Sequence, residues 1–120
     1  MEKNILEKEK SLFDLKYMKD IDYLNKTIDD NYLECGKSGL LYNKEYEISN
    51  FLKLTKDRQI TIYNFECQKI DLNTYIVHYF TNQSNNLYYR TSIWKNVGNE
   101  LKILYHQATP FNGKVTLHEF

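Results

Sequence analysis

The residues best suited to chemistry in this 120-residue chain are concentrated in one stretch, Tyr88-Tyr89-Arg90-Thr91-Ser92-Ile93-Trp94. It reads as a strand, and a side-chain period of two puts Tyr88, Arg90, Ser92 and Trp94 on one face. An arginine there is either a buried ion-pair partner or a clamp for an anion, because its planar guanidinium meets a carboxylate with two parallel hydrogen bonds. The ion pair is the favoured reading. Trp94 is most simply core, with the wall of a ligand pocket as the other option. Glu34 offers the matching carboxylate. It can accept hydrogen bonds from the following turn, Gly36-Lys37-Ser38-Gly39, or pair with Arg90, since a buried carboxylate needs a partner.

His106 is a further candidate, and its side of the sheet depends on one turn. A two-residue turn at Val97-Gly98 or Gly98-Asn99 sets Arg90 opposite Tyr105 or Gln107, and His106 then points to the other face. A three-residue loop sets Arg90 opposite His106. The two-residue turn is preferred because it keeps Trp94 with Leu101 or Ile103, so Arg90 and His106 are not expected to form a pair. His78 and His118 are weaker candidates. No His/Cys/Asp/Glu spacing reads as a metal site, and no Gly-rich loop precedes a helix at phosphate-binding spacing. Ser38 does not sit in a Gly-x-Ser-x-Gly elbow. No cofactor is expected.

The elements that must position these side chains follow from the hydrophobic periods. Residues 2 to 18 read as a helix with Ile5, Leu6, Leu12, Phe13 and Tyr17 on one stripe. Asp20 can cap a second helix carrying Ile21, Leu24 and Ile28, which Asp29-Asp30-Asn31 ends. Tyr32 to Cys35 and Leu40 to Tyr42 are short strands, and Asn43 can cap a third helix running to about Leu54. Gln59 to Gln68, Thr74 to Thr81, Leu87 to Asn96 and Glu100 to Ala108 are β-branched and aromatic. Short polar connections between them predict an antiparallel meander. The result is one α+β domain over residues 1–120, with helices on one face of a curved sheet.

This order and two local stretches resemble the nuclear transport factor 2-like superfamily, the cone-shaped, cystatin-like fold of ketosteroid isomerases and SnoaL-like cyclases. The stretches are Asp29-Asp30-Asn31-Tyr32-Leu33-Glu34-Cys35-Gly36-Lys37-Ser38-Gly39, and Arg90-Thr91-Ser92-Ile93-Trp94 with His106-Gln107-Ala108-Thr109-Pro110. They are similar to the motifs of a branch of small bacterial proteins, with Ala108 standing where that branch has glycine. The resemblance implies a cone-shaped pocket; the shared strand face of Tyr88, Arg90, Ser92 and Trp94 offers it a wall, and Glu34 and His106 are the other candidate ligand-binding residues. It also implies a catalytic carboxylate near Glu34, which burial would make a candidate general base. A two-fold homodimer is implied as well.

Composition narrows the functional classes. Sixteen basic residues balance sixteen acidic ones, without the basic patch of a nucleic-acid binder. No apolar run spans a bilayer, and the charged first residues lack a secretory h-region, so the expected location is the cytoplasm, with Cys35 and Cys67 reduced. Eleven tyrosines suit a half-wet cavity or an interface. Three functions remain open. One is binding of a small, largely apolar molecule, or of an anion beside an apolar body if Glu34 leaves Arg90 free. Another is a cofactor-free isomerase or cyclase with Glu34 as base. The third is an interaction module with a filled cone. Apolar and aromatic residues on both sheet faces, Tyr89 and Ile93 on one and Tyr88 and Trp94 on the other, predict a homodimer through whichever face the helices leave open.

Overall fold

Four helices and six strands make up the computed structural model, which describes residues 1–120. In chain order they are α1 (Glu2–Ser11), α2 (Leu15–Met18), α3 (Ile21–Thr27), β1 (Ile28–Cys35), β2 (Leu41–Asn43), α4 (Lys44–Lys53), β3 (Ile62–Asp71), β4 (Thr74–Gln83), β5 (Asn86–Val97) and β6 (Glu100–Pro110). One mixed sheet runs β2-β1-β6-β5-β4-β3. Strands β3 to β6 form the expected antiparallel meander, and β1 joins its end in parallel against β6. No helix is long and apolar enough to cross a membrane.

Local chemistry sets most boundaries. The Asp20 side chain accepts from the Tyr23 N–H and starts α3. Asn43 does the same for α4 through the Tyr46 N–H. The single helix expected over 2 to 18 is instead two. Asp14 caps a new start by accepting from the Lys16 N–H, and Leu12 and Phe13 close a tight turn onto the Glu9 and Lys10 carbonyls. The bend leaves Phe13 edge-on to Tyr79, with ring centroids 6.3 Å apart. Strand β1 also begins earlier than expected, at Ile28, because Asp29 finds a partner across the sheet, 2.8 Å from the Lys95 ammonium.

The helices cover one face of the sheet. Ile5, Leu24, Ile28, Ile48, Val77, Tyr79, Trp94 and Ile103 belong to the resulting core. On the other face His78 stacks on Tyr89, and Phe80 packs between Tyr89 and Phe111.

The last hairpin decides the site. Its turn is the preferred two-residue one: Val97 pairs with Glu100, and Gly98 and Asn99 have φ of 56° and 66°. Two successive positive φ values match the right-handed twist of the strands they join. The face inferred for His106 is nonetheless corrected. Trp94 pairs with Ile103 but Ile93 pairs with Tyr105, so Leu104 is an extra residue on β6. This β-bulge shifts the phase by one, setting Ser92 opposite His106 and Arg90 opposite Ala108. Arg90 and His106 therefore share the inner face, and burial shows the slip as Leu101, Ile103, His106 and Ala108.

Candidate functional site

The cone holds a buried polar chain that ends at an open cavity. At its inner end lies Glu9, one turn after Ile5 on the buried stripe of α1 and only 1% exposed. Three groups donate to its carboxylate: the Tyr79 hydroxyl, the Ser92 hydroxyl at 2.7 Å and the Trp94 indole N–H at 2.7 Å. Burial pushes the Glu9 pKa up, opposed by those three donors and by Arg90.

Donor chemistry fixes the direction of the chain. Arginine can only donate, so the Arg90 Nη1 at 3.3 Å requires a bare Nε2 on His106. The neutral ring then carries its proton on Nδ1 and donates to the Ser92 Oγ at 2.7 Å, which donates onward to Glu9. Complete burial, then Arg90 and Arg58, lower the His106 pKa to about 3. The 3.6 Å approach of His106 Nδ1 to Glu9 is therefore a neutral contact at physiological pH, not an ion pair.

The expected Glu34–Arg90 ion pair does not form. Arg90 donates from Nε to the Thr81 hydroxyl at 2.7 Å, and its guanidinium lies 5.1 Å from the Phe13 ring centroid. No carboxylate lies within salt-bridge distance of it. Glu34 instead accepts from the Tyr32 hydroxyl at 3.0 Å and stands against Glu47, which α4 brings across the cone. Burial, then repulsion by Glu34 and a hydrogen bond with it, push the Glu47 pKa up to about 9. Glu47 thus keeps its proton near neutral pH and shares it with Glu34 through that hydrogen bond.

These groups line a cavity of about 230 Å³, bounded by Glu34, Lys37, Tyr42, Glu47, Phe51, Arg58 and Arg90 among others. It adjoins an inner space of about 80 Å³ that reaches Glu9, Phe13, Ile103 and His106. Three cations face it. Burial, then Arg90 and Arg58, depress the Lys37 pKa, and burial followed by Arg90 depresses that of Arg58. No group of three or more His, Cys, Asp or Glu side chains is placed to hold a metal.

Of the residues singled out from sequence, Glu34, Arg90 and His106 come together at the cavity. Tyr88 is half-buried and outside the cavity lining, its ring 5.2 Å from the Lys37 ammonium. Ser92 and Trp94 are fully buried behind the cavity and face Glu9. Sequence reasoning missed Glu9, Glu47, Lys37 and Arg58. Glu9 had a signal, a charge on an apolar stripe at i+4 from Ile5. Arg58 had none, since it lies in the irregular segment before β3.

A curved sheet wrapped by helices around a cavity at the cone's open end is the nuclear transport factor 2-like (NTF2-like) fold. Solved structures with this architecture agree. An NTF2-like protein from Cytophaga hutchinsonii superposes with a TM-score of 0.73 at 20% identity, covering 91% of this chain and 97% of its own. The association domain of C. elegans CaMKII gives 0.71 at 15% identity, over 88% and 92% of the two chains. A candidate dehydratase of the NTF2-like family from Streptomyces avermitilis gives 0.73 at 9% identity, over 91% and 95%. No protein-family model matches the sequence, and no curated protein matches it.

Proposed function

We propose that the chain binds a small molecule in the cone, holding an anionic group of that molecule beside an apolar body. The observation that carries this is a cluster of three cations on one cavity. Arg90 has no carboxylate partner, and it, Arg58 and Lys37 face one cavity and repel one another. Of the two acids opposite, Glu47 holds its proton near neutral pH and so offers the cations no charge. An anion entering would relieve that repulsion, and two guanidiniums suit a carboxylate. Leu12, Phe13, Phe51 and Ile103 provide the apolar surface. Calorimetric titration with 4-methylpentanoate and its neutral amide tests this. The acid should bind and the amide should bind much more weakly. Arg58→Met should weaken the acid by about tenfold, the value of one charge-assisted hydrogen bond, and leave the amide unchanged. Equal binding of acid and amide would refute the anion site.

A second reading is a cofactor-free isomerase or cyclase. It is favoured by Glu34, a carboxylate at the cavity that shares a proton with Glu47 and could take a proton from a bound substrate. Glu34→Gln would abolish such turnover while sparing binding of the anion.

The reading includes a cytoplasmic homodimer formed through the outer sheet face, where Tyr89, His78 and Phe80 make an aromatic row. Tyr89 is 36% exposed in the single chain. Light scattering at micromolar concentration should give twice the 14.5 kDa chain mass, and a Tyr89→Lys variant should shift it toward one. A wild-type monomer mass would rule the dimer out.

A further inference from the structure

The cavity has a second unmet demand, opposite its cations. Glu47 is 5% exposed, and apart from the proton it shares with Glu34 no donor of the protein reaches its buried Oε2. Around the two carboxyls the donors are few: the Tyr32 hydroxyl, given to Glu34, and the proton the acids share. Glu34 is half-buried and keeps the Tyr32 hydroxyl, so the deficit falls on Glu47. A buried acceptor left unserved is costly, and the deficit lies on the cavity wall.

We propose that the ligand is a small zwitterion of the amino-acid class. Its carboxylate meets Arg58 and Arg90, and its ammonium meets Glu34 and Glu47. This rests on the anion-binding reading and adds the second charge. The opposed charges lie within one cavity of about 230 Å³ that continues into about 80 Å³ of partly apolar space, which suits a compact molecule with a short apolar side chain. An ammonium brings three donors to the acid pair, where a hydroxyl brings one. A simple carboxylic acid would satisfy the arginines and leave Glu47 as it is.

The proton balance distinguishes the classes. The titratable and charged groups that line these spaces with Glu47 are Glu9 on α1, Tyr32 and Glu34 on β1, Lys37 in the turn after it, Tyr42 on β2, Arg58 before β3, Arg90 on β5 and His106 on β6. When a ligand ammonium replaces the shared proton, Glu47 ionises against it and that proton passes to the buffer. An unaminated acid brings no such replacement.

The test titrates the wild-type protein with leucine, 4-methylpentanoate and 3-methylbutylamine at about pH 8, below the Glu47 pKa, in buffers of different ionisation heat. Leucine should bind at least about tenfold tighter than either analogue and release close to one proton. Glu47→Gln should bring leucine down to the level of 4-methylpentanoate and stop the release. Glu34→Gln provides the same readout if that variant does not fold. Leucine binding no better than 4-methylpentanoate overturns the zwitterion and leaves the anion site standing. Leucine matched by the amine, or bound without proton release, also overturns the zwitterion. Binding of none of the three overturns both readings.

Discussion

Glu9→Ala should destabilise the protein by at least about 3 kcal/mol, since it strands the Tyr79 hydroxyl, the Ser92 hydroxyl and the Trp94 N–H in a dry core at about 1–3 kcal/mol each. Trp94 and Tyr79 are both fully buried, so water cannot readily replace the lost acceptor. Against a usual total of roughly 5–15 kcal/mol, such a loss leaves the fold marginal. Glu9→Gln should cost less. Its oxygen can still serve Tyr79 and Ser92, but its amide then meets the Trp94 N–H donor to donor. Urea unfolding followed by Trp94 fluorescence would rank the proteins as wild type, Gln, then Ala. An alanine variant melting with the wild type would show that the Glu9 network does not hold the cone together.

The ease of reading this chain varied with the range of the interaction involved. Asp20 and Asn43 each cap a helix by a bond three residues away, and both caps were visible in the sequence. The Gly98-Asn99 turn was visible for the same reason. His106 was misplaced although that turn was right, because the phase of β6 changes at Leu104, within the strand. Three apolar residues in succession, Ile103-Leu104-Tyr105, were the only local trace of it. The neighbours that Glu34 meets across the cone could not be read at all. Glu47 approaches from a helix and Arg58 from an irregular segment, and only the closure of the cone brings them together. Arg90 was expected to neutralise Glu34, but the sheet gives it Thr81 and His106 first. That outcome moves the ligand expectation from a neutral molecule toward an anion.

Stability should peak on the acid side of neutrality and fall in both directions, because two buried groups titrate with opposite sign. His106 has a folded pKa of about 3 against an ordinary 6.5, so the unfolded chain binds the extra proton. Its contribution is lost as pH falls from 6.5 toward 3, by about tenfold in the folding constant per pH unit. Glu47 behaves oppositely. Its folded pKa of about 9 stands above an ordinary 4.5, so its contribution is complete below 4.5 and is lost as pH rises toward 9. Between 4.5 and 6.5 the two slopes oppose each other. Glu9, also raised, leans the same way as Glu47 and draws the maximum toward the lower end of that window. Chemical denaturation across the pH range should therefore show a maximum between pH 4.5 and 6.5. Glu47→Gln should flatten the alkaline limb and leave the acid limb in place, whereas His106→Gln should flatten the acid limb. A Glu47→Gln protein whose stability still fell as steeply as the wild type's between neutrality and pH 9 would mean that Glu47 is not the proton-holding member of the pair.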